Sequence, residues 1–586
     1  MKIPRNISIW IVLLLLGKPG LSERGRVSSL ENSTTREGAT YYIDSLSGDD
    51  NDSGTSTSTP WKSLHKMNAT TFSPGDRILF KSGGKWTGQL WPKGSGTAQH
   101  PIVIDKYGGE AKPIINGKGE AEDAVLLKNQ EYWEINNLEV TNTGSTPGTR
   151  RGVRLVADNY GDVHHIYVRG LDVHDVNGSD QIKENGGITY NCAGESKPSR
   201  FVDLRIEDNH IHRVDRSGIF GWSSHWMRSK WYPSLAVVIR NNTLDDIGGD
   251  GIVNVATDGA VVELNVVAHA SQRSQDYNVG IWPWSADNTV VQFNEVYGTR
   301  GQHDAEGFDS DWNSRNTIIQ YNYSHDNEGG FLLICNEGSQ SPQVSVGNTG
   351  TIVRYNISQN DHHRGIKLSG PVKNTLIYNN TIYVGKGENV DVVLHTDWTG
   401  WATDTYFYNN IFYVEGTARF SYGVSGNADG SYVTAPGRGK STNNIFAALG
   451  SLLSEGRDVS VPAGTQLAVD LQSAVTLRGS GRTSGLEGST IYTAADRISA
   501  AQQALAQQNY YRGSITGQLD DATRRALFQF QVDRGLSATG NLDGRTHNRI
   551  ERPRIKVQIT ILELLVGTVQ VADFPREHHG GVPPSA

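Results

Sequence analysis

The most regular feature of the chain is a short run of alternating apolar and polar residues that ends in asparagine and recurs along its middle. The recurring asparagines are Asn209, Asn242, Asn265, Asn294, Asn322, Asn356, Asn380 and Asn410, with weaker copies at Asn137 and Gly170. Successive strong copies lie 23 to 34 residues apart. Strand-like alternation repeated at this distance predicts a solenoid in which each repeat is one β coil.

The asparagines are expected at the turns between strands. Asn tolerates left-handed backbone angles, and stacked side-chain amides can hydrogen-bond along the axis of a solenoid. We therefore predict a structural role for these residues and assign them no chemistry.

The segment before the repeats carries several short motifs, at residues 42–45, 48–54, 60–64 and 73–80. It resembles the N-terminal entry of exported β-helix proteins that act on polysaccharides, the pectate-lyase-like superfamily. The resemblance extends over residues 39–450. It implies an all-β, right-handed parallel β-helix solenoid that begins with an N-terminal cap and binds a polysaccharide.

The C-terminal part changes character after a Ser-, Gly- and Thr-rich linker at 451–490. Between 491 and 550 the apolar residues follow a helical spacing, and several residues resemble those of the three-helix peptidoglycan-binding domain: Tyr510, Tyr511, Gly513, Asp520, Thr523, Gly535 and Gly540. The resemblance implies a small all-α domain with peptidoglycan as a partner; a docking or stabilising module is the alternative. The tail at 551–586 receives no prediction.

The N-terminus has the pattern of a secretory signal peptide, over residues 1–22. Lys2 and Arg5 precede an apolar run at 9–16, which is far shorter than the ~20 residues that cross a bilayer. A flexible lead-in at 23–38 follows. We expect a secreted monomer, extracellular, periplasmic or associated with the cell wall, with no membrane contact after cleavage. The net charge of −8 gives no reason to expect nucleic acid as a partner.

Export permits disulfides, but the repeat register places the two cysteines, Cys192 and Cys335, about five coils apart. At ~4.8 Å per coil they are too distant to bridge. We expect both to be buried as small apolar residues.

A second alignment of the coils uses a glycine followed by a bulky apolar residue, at Gly218, Gly251, Gly280, Gly307, Gly330 and Gly365. The bulky residue is expected to face the core, so the positions one and three beyond it face outward. These outward positions are Phe220, Trp222, Val253, Val255, Trp282, Trp284, Asp309, Asp311, Leu332, Ile334, Lys367 and Ser369.

Such an outer stripe suits a carbohydrate. Trp faces stack on the C–H faces of sugars, and carboxylates bind hydroxyls or transfer protons. We predict substrate binding by Trp222, Trp282, Trp284 and Trp312. Four acids lie between Asp304 and Asp311, and this crowding raises their pKa values, so that one can stay protonated while another is ionised. Asp311 and Asp309 are the predicted catalytic pair, with Glu306 or Glu328 as a substitute acid.

The stretch 308–312 is also similar to the nucleophile strand of the β-helix β-xylosidase family, which implies that Asp311 is a nucleophile. The proton donor of that family falls near Ile334, which cannot donate a proton; the nearest acid is Glu337.

A second polar cluster, with His325, Glu328, His363 and Arg364, is expected along the same side of the groove. Either histidine could orient a carboxylate or act as a base. Metal binding by the adjacent histidines at 362 and 363 is disfavoured, because neighbouring strand residues face opposite ways.

Three functions remain open. A glycoside hydrolase that needs no cofactor is the leading hypothesis. A polysaccharide lyase or uronate epimerase would use Lys367, Arg364 and His363, with calcium held by Asp309 and Asp311. A non-catalytic glycan-binding or wall-anchored protein is the third.

Overall fold

The computed structural model describes residues 38–301 and 303–421, short strands between 424 and 471, parts of 495–550, and residues 557–559. The predicted signal peptide, most of the lead-in, and most of the predicted linker and tail therefore lie outside the described residues. The chain divides into two units, residues 1–455 and 456–586.

The described part of the first unit is a parallel β-helix with three walls, each a parallel sheet. The first wall has 18 strands: Thr40–Ile43, Arg77–Lys81, Ile102–Tyr107, Trp133–Asn136, Asp162–Arg169, Arg200–Glu207, Ser234–Leu235, Val238–Arg240, Thr257–Asp258, Val261–Glu263, Val290–Gln292, Ser314–Arg315, Ile318–Gln320, Asn348–Thr349, Ile352–Arg354, Lys373–Tyr378, Thr403–Tyr408 and Lys440–Thr442. The second wall has 13: Lys85–Thr87, Ile114–Asn116, Glu139–Asn142, Asp172–Val176, His210–Val214, Thr243–Ile247, Val266–Ala268, Glu295–Tyr297, Tyr323–His325, Ile357–Gln359, Thr381–Val384, Ile411–Val414 and Ile445–Ala448.

The third sheet, called the site wall below, has 11 strands: Asp123–Lys128, Arg151–Asp158, Gly186–Ala193, Ser217–Ser223, Ile252–Val255, Ile281–Trp284, Glu306–Ser310, Gly330–Cys335, Arg364–Ser369, Asn389–Thr396 and Thr417–Ser421. Each coil adds one strand to this wall, and neighbouring coils pair in parallel. The predicted β-helix is confirmed.

A few elements lie outside the walls. They are the helix Leu64–Ala69, the 3-10 turn Arg228–Lys230, and the antiparallel pair Val424–Gly426 and Tyr432–Thr434. The helix begins where Ser63 Oγ accepts a hydrogen bond from the Lys66 N–H group, and its Leu64 and Met67 are buried. Leu64 and Met67 belong to the solenoid core.

Inward residues of the site wall stack in register, as the glycine alignment predicts. Ile252 pairs with Ile281, which pairs with Phe308, and all three are buried in the solenoid core. Because successive side chains alternate, this register turns the following residue of each strand outward.

The prediction is wrong in the next coil. Phe308 pairs with Leu332 and not with Phe331, so Leu332 and Ile334 face the core, while Leu333 and Cys335 face outward. Gly330 stands opposite Glu306 with a φ of 129°, a left-handed angle that glycine adopts readily, so the inward position falls one residue later. The uninterrupted apolar run 331–334 has no alternation from which the register could be read.

The asparagines form the predicted ladder along the axis. The Nδ2 of Asn242 donates to the Oδ1 of Asn265 at 2.9 Å, and Asn265 bonds Asn294 in the same way at 3.0 Å. The left-handed residue, however, is the one before each ladder asparagine, for example Leu264 and Phe293. The turn is made by the exposed preceding residue, because the ladder amide is needed inside to satisfy buried backbone groups.

The two cysteines are free and buried, five coils apart on the site wall, as predicted. Cys192 belongs to the solenoid core. Cys335 is buried as expected, but it does not act only as a small apolar residue, because its thiol lies on the outer face and donates to Asp311.

In the second unit, the helix Ala495–Gln507 packs around a small core that includes Leu505, Leu527 and Phe530. The buried Gln502 side chain bonds the Thr523 hydroxyl and the backbone N–H of Gly517. The strands Val469–Leu471 and Val557–Ile559 pair antiparallel. None of the helices in the described residues has the length and apolar character that crossing a membrane requires.

Candidate active site

The predicted pair of aspartates and the predicted tryptophans share the outer face of the site wall. Trp282 and Trp284 pair with Val253 and Val255 on one side. On the other side the Asp311 N–H group donates to the Pro283 carbonyl at 3.2 Å, which places Asp311 beside Trp284. Trp282 and its neighbours form an apolar cluster that is separate from the solenoid core. The wall therefore displays an acid next to aromatic rings.

Asp311 is held by two donors. The Trp312 N–H group donates to Asp311 Oδ1 at 2.7 Å, and the Cys335 thiol donates to the same oxygen at 2.9 Å. Asp309 lies close by, since one carboxylate oxygen of each aspartate and Cys335 Sγ all lie within 4.8 Å of one another. The carboxyl of Asp311 is thus fixed in orientation.

Burial governs the protonation of this cluster. It raises the pKa of Asp311 to about 7, with the charge of Asp304 adding to the rise and the bonds from Cys335 and Trp312 opposing it. Asp309 is 4% exposed, and burial followed by the charge of Asp311 raises its pKa well above the usual carboxyl range. Burial also raises the pKa of the Cys335 thiol. Near neutral pH the site therefore retains at least one proton that it can donate.

Asp304 is a site residue that is not among the predicted catalytic residues. It precedes the strand Glu306–Ser310 with a left-handed φ of 49°, and its Oδ1 lies 3.7 Å from the Lys367 ammonium. Its charge raises the pKa of both Asp309 and Asp311, so the three carboxyls interact electrostatically. It belongs to the acidic run, but it lies before the strand in an isolated parallel bridge to Asn278, where no strand period reveals the direction of its side chain.

Glu306 and Arg364 form a buried ion pair at the edge of this cluster. Glu306 is 0% exposed, and its Oε1 lies 2.9 Å from Arg364 Nη1. Arg364 Nη2 also donates to the Asp304 carbonyl at 3.2 Å. The proposal of Glu306 as a substitute acid is therefore wrong, because this carboxyl is inaccessible; Arg364 instead supports the turn that carries Asp304.

Trp284 is the centre of an aromatic group. Its ring centroid lies 5.0 Å from Trp226, 5.3 Å from Trp312 and 5.6 Å from Trp222. Trp282 is more buried, and its Nε1 donates to Asp250 at 3.0 Å. Trp226 lies in the segment between two strands, outside the repeat, and was not predicted.

Three predicted residues are not brought to the cluster. His325 ends a strand of the second wall and contacts Glu295 at 3.2 Å. Glu328 is exposed and accepts a hydrogen bond from the Gly301 N–H group at 3.1 Å, and His363 is exposed in the turn before Arg364. Among the described residues none of the three has a hydrogen bond to Asp304, Asp309 or Asp311, so their catalytic roles stay predictions.

Two clusters in the described residues have donor sets that could contact one metal ion. Asp309, Asp311 and Cys335 form the first, and Asp172, His210 and His212 on the second wall form the other. The first offers only two carboxylates and a thiol, whereas calcium takes six to eight oxygen ligands.

Comparison with known proteins gives matches for both units. Residues 494–550 match the family described as "Putative peptidoglycan binding domain". Over 456 aligned residues the chain is 31% identical to the lacto-N-biosidase of Bifidobacterium longum subsp. longum. The chain is similar to lacto-N-biosidases. The alignment covers 61% of this chain and 28% of the relative, so the chain spans a little over a quarter of that protein's length.

Solved structures give the same similarity. The GH136 lacto-N-biosidase from Eubacterium ramulus matches in its native and its selenomethionine form, each with a TM-score of 0.54 and 25% identity. The matches cover 70% to 71% of this chain and 68% of those chains. The resemblance therefore includes much of the β-helix.

Proposed function

We propose that the chain is a secreted glycoside hydrolase acting on lacto-N-biosides, with Asp304 and Asp311 as its reacting carboxyls. The observation that carries this proposal is the convergence of Asp304, Asp309 and Asp311 beside the ring of Trp284, on the outer face of the site wall. The similarity to lacto-N-biosidases supplies the substrate class.

Asp311 suits the role of nucleophile. Both of its donors contact Oδ1, and in the described part of the chain no hydrogen bond takes up Oδ2. That oxygen can approach an anomeric carbon without first losing a partner. A covalent glycosyl-enzyme formed in this way implies that the anomeric configuration is retained.

Asp304 suits the role of proton donor. Its side chain is partly exposed, so it can exchange protons with water between the two steps of the reaction. In the first step it would protonate the leaving oxygen, and in the second it would take a proton from the attacking water. The Lys367 ammonium lies 3.7 Å from its Oδ1.

Asp309 keeps a proton in this scheme. Its pKa stands well above the usual carboxyl range, and this favours its protonated form beside Asp311. A neutral acid here avoids a second negative charge at the nucleophile and can donate a hydrogen bond to a sugar hydroxyl. Trp222, Trp284 and Trp312 would bind the sugar rings.

A p-nitrophenyl lacto-N-bioside assay tests the proposal. We expect the wild-type chain to release nitrophenol and Asp311→Asn to lose at least about a thousandfold in kcat/KM, as expected for a lost nucleophile. The matched control is Asp404→Asn, an exposed aspartate of the first wall, which should retain full activity. Release by Asp311→Asn at the wild-type rate contradicts the assignment.

The lyase alternative predicts a different product. It needs cationic groups for an enolate-like charge, but Arg364 lies against Glu306, and Lys367 lies near Asp304. Loss of activity with a chelator, together with ultraviolet absorbance from a new double bond, would favour a lyase over the hydrolase.

We also propose that the second unit binds peptidoglycan, on the basis of the match at residues 494–550. Together with the basic and apolar N-terminal run, this supports an exported protein held at a cell wall. Full-length chain should sediment with insoluble peptidoglycan and stay in solution with cellulose. Equal sedimentation with both, or with neither, contradicts this role.

A further inference from the structure

The outer face of the site wall has a concavity away from the aspartates. We call it the upstream cavity: about 450 Å³, lined by residues that include Trp91, Arg154, Val156, Asn191 and Trp222. Val156 pairs with Asn191, which pairs with Trp222, so these side chains stand on successive coils. Asn191 and Asp311 are four strands apart, or ~19 Å at the usual strand spacing.

The floor of the upstream cavity holds an amide oxygen without a partner. Asn191 is 8% exposed, and within the described residues its Oδ1 is buried and receives no hydrogen bond. The Nε of Arg154 is also buried and has no hydrogen-bond partner among the described residues. Its Nη1 lies 3.9 Å from Asp123 Oδ2. Leaving such groups unsatisfied costs free energy, so the cavity is complementary to a ligand that both donates and accepts.

Charge and shape indicate a neutral sugar. The lining carries three carboxylates, and each has a cation near it. Asp123 forms an ion pair with Arg151, and Asp158 lies 3.7 Å from the Lys128 ammonium. The third, Glu184, interacts electrostatically with Arg154. Trp91, 36% exposed, offers an aromatic face at one side. Uncharged hydroxyl or N-acetyl groups can bond an amide and a guanidinium, while Trp stacks on a sugar face.

The cavity is continuous with the aspartate cluster through aromatic rings. Trp222 lines the upstream cavity and also stacks on Trp284, which stands beside Asp311. We infer that the upstream cavity binds further neutral sugar units of the same glycan that is cleaved at Asp311. This inference rests on the proposed hydrolase function and adds to it a preference for extended substrates.

Direct binding to the full-length Asp311→Asn variant tests the inference without turnover. The two probes are p-nitrophenyl lacto-N-bioside and a neutral hexasaccharide that carries lacto-N-biose at its non-reducing end, titrated by calorimetry. The hexasaccharide should bind at least about tenfold more tightly, as one stacked ring and one or two hydrogen bonds can supply. Adding Asn191→Ala or Trp91→Ala should remove that advantage and leave the affinity for the short probe unchanged.

The matched control is Tyr355→Ala, which removes an equally exposed ring from a turn of the first wall and should keep the tenfold advantage. Equal affinity for the two probes in a chain that hydrolyses both overturns the inference and leaves the hydrolase standing. A different result would separate the two proposals. If the wild-type chain hydrolyses neither probe but Trp91→Ala removes the tighter binding of the hexasaccharide, the sugar-binding cavity is supported and the hydrolase is rejected.

Discussion

The Cys335 thiol donates a hydrogen bond to Asp311 Oδ1 across two neighbouring strands of the site wall, at 2.9 Å. This bond opposes the effect of burial on the pKa of Asp311 and, with the bond from the Trp312 N–H group, holds Oδ1 in place. A cysteine with no disulfide thus acts on the position and protonation of the proposed nucleophile.

Cys335→Ala should move the acid limb of the pH–rate profile to higher pH. Without the thiol, the pKa of Asp311 rises further above about 7. Since the nucleophile must be ionised, kcat/KM then reaches its plateau at a higher pH. The loss of one hydrogen bond should move this limb by roughly half to one pH unit. Cys335→Ser keeps a donor and should restore the wild-type profile. Identical limbs for the alanine and wild-type chains contradict the role.

Asp309→Asn should stabilise the β-helix at high pH. Burial raises the pKa of Asp309 in the folded state above its unfolded value, so the stability it contributes is complete at acid pH and is lost as pH rises through the folded pKa. Asparagine cannot ionise and avoids this loss. Thermal unfolding should show a gain of about 1–3 kcal/mol at pH 8 and little change at pH 4. The opposite order rejects a buried, protonated Asp309.

Asn265→Ala should destabilise the solenoid by about 3 kcal/mol in denaturant unfolding, because unpaired buried polar groups are costly. Its Oδ1 accepts from both the Nδ2 and the N–H of Asn242, and its Nδ2 donates to the Ile239 carbonyl. Asn51→Ala, at an exposed turn, is the control and should change stability little. Equal effects in the two variants contradict the structural role of the ladder.

Trp284→Ala should raise KM for the chromogenic bioside more than it lowers kcat, by about tenfold or more. The ring lies among Trp222, Trp226 and Trp312, and beside Asp311. Trp284→Phe retains a stacking face and should lose less. A fall in kcat alone, with KM unchanged, assigns the ring to positioning the aspartates.

Much of the fold could be predicted from the sequence, because a coil repeats one pattern and each inward residue must stack on the next. Trp282, Trp284 and Asp309 face outward, as this stacking predicts. At Leu332 the predicted register is wrong, because an uninterrupted apolar run conceals which residues face inward. The repeat also gives no prediction for residues that lie outside it.

The candidate site was only partly predictable for that reason. Asp304 lies in an isolated bridge before its strand, and Trp226 lies in a segment between strands. No period fixes the direction of a side chain at either position. Cys335 was predicted to be a small apolar residue, because the apolar run 331–334 conceals that its side chain faces outward. Glu306 was read as accessible because the sequence does not show its ion pair with Arg364.

The most direct measurement of the central claim is product mass after reaction in isotopically labelled water. Hydrolysis through Asp311 predicts that wild-type chain incorporates one labelled oxygen at the newly formed reducing end, and that Asp311→Asn and Asp304→Asn form almost no product while remaining folded by circular dichroism. An unlabelled, unsaturated product, or full labelling by Asp311→Asn, contradicts the claim that these carboxyls hydrolyse a glycan on the site wall.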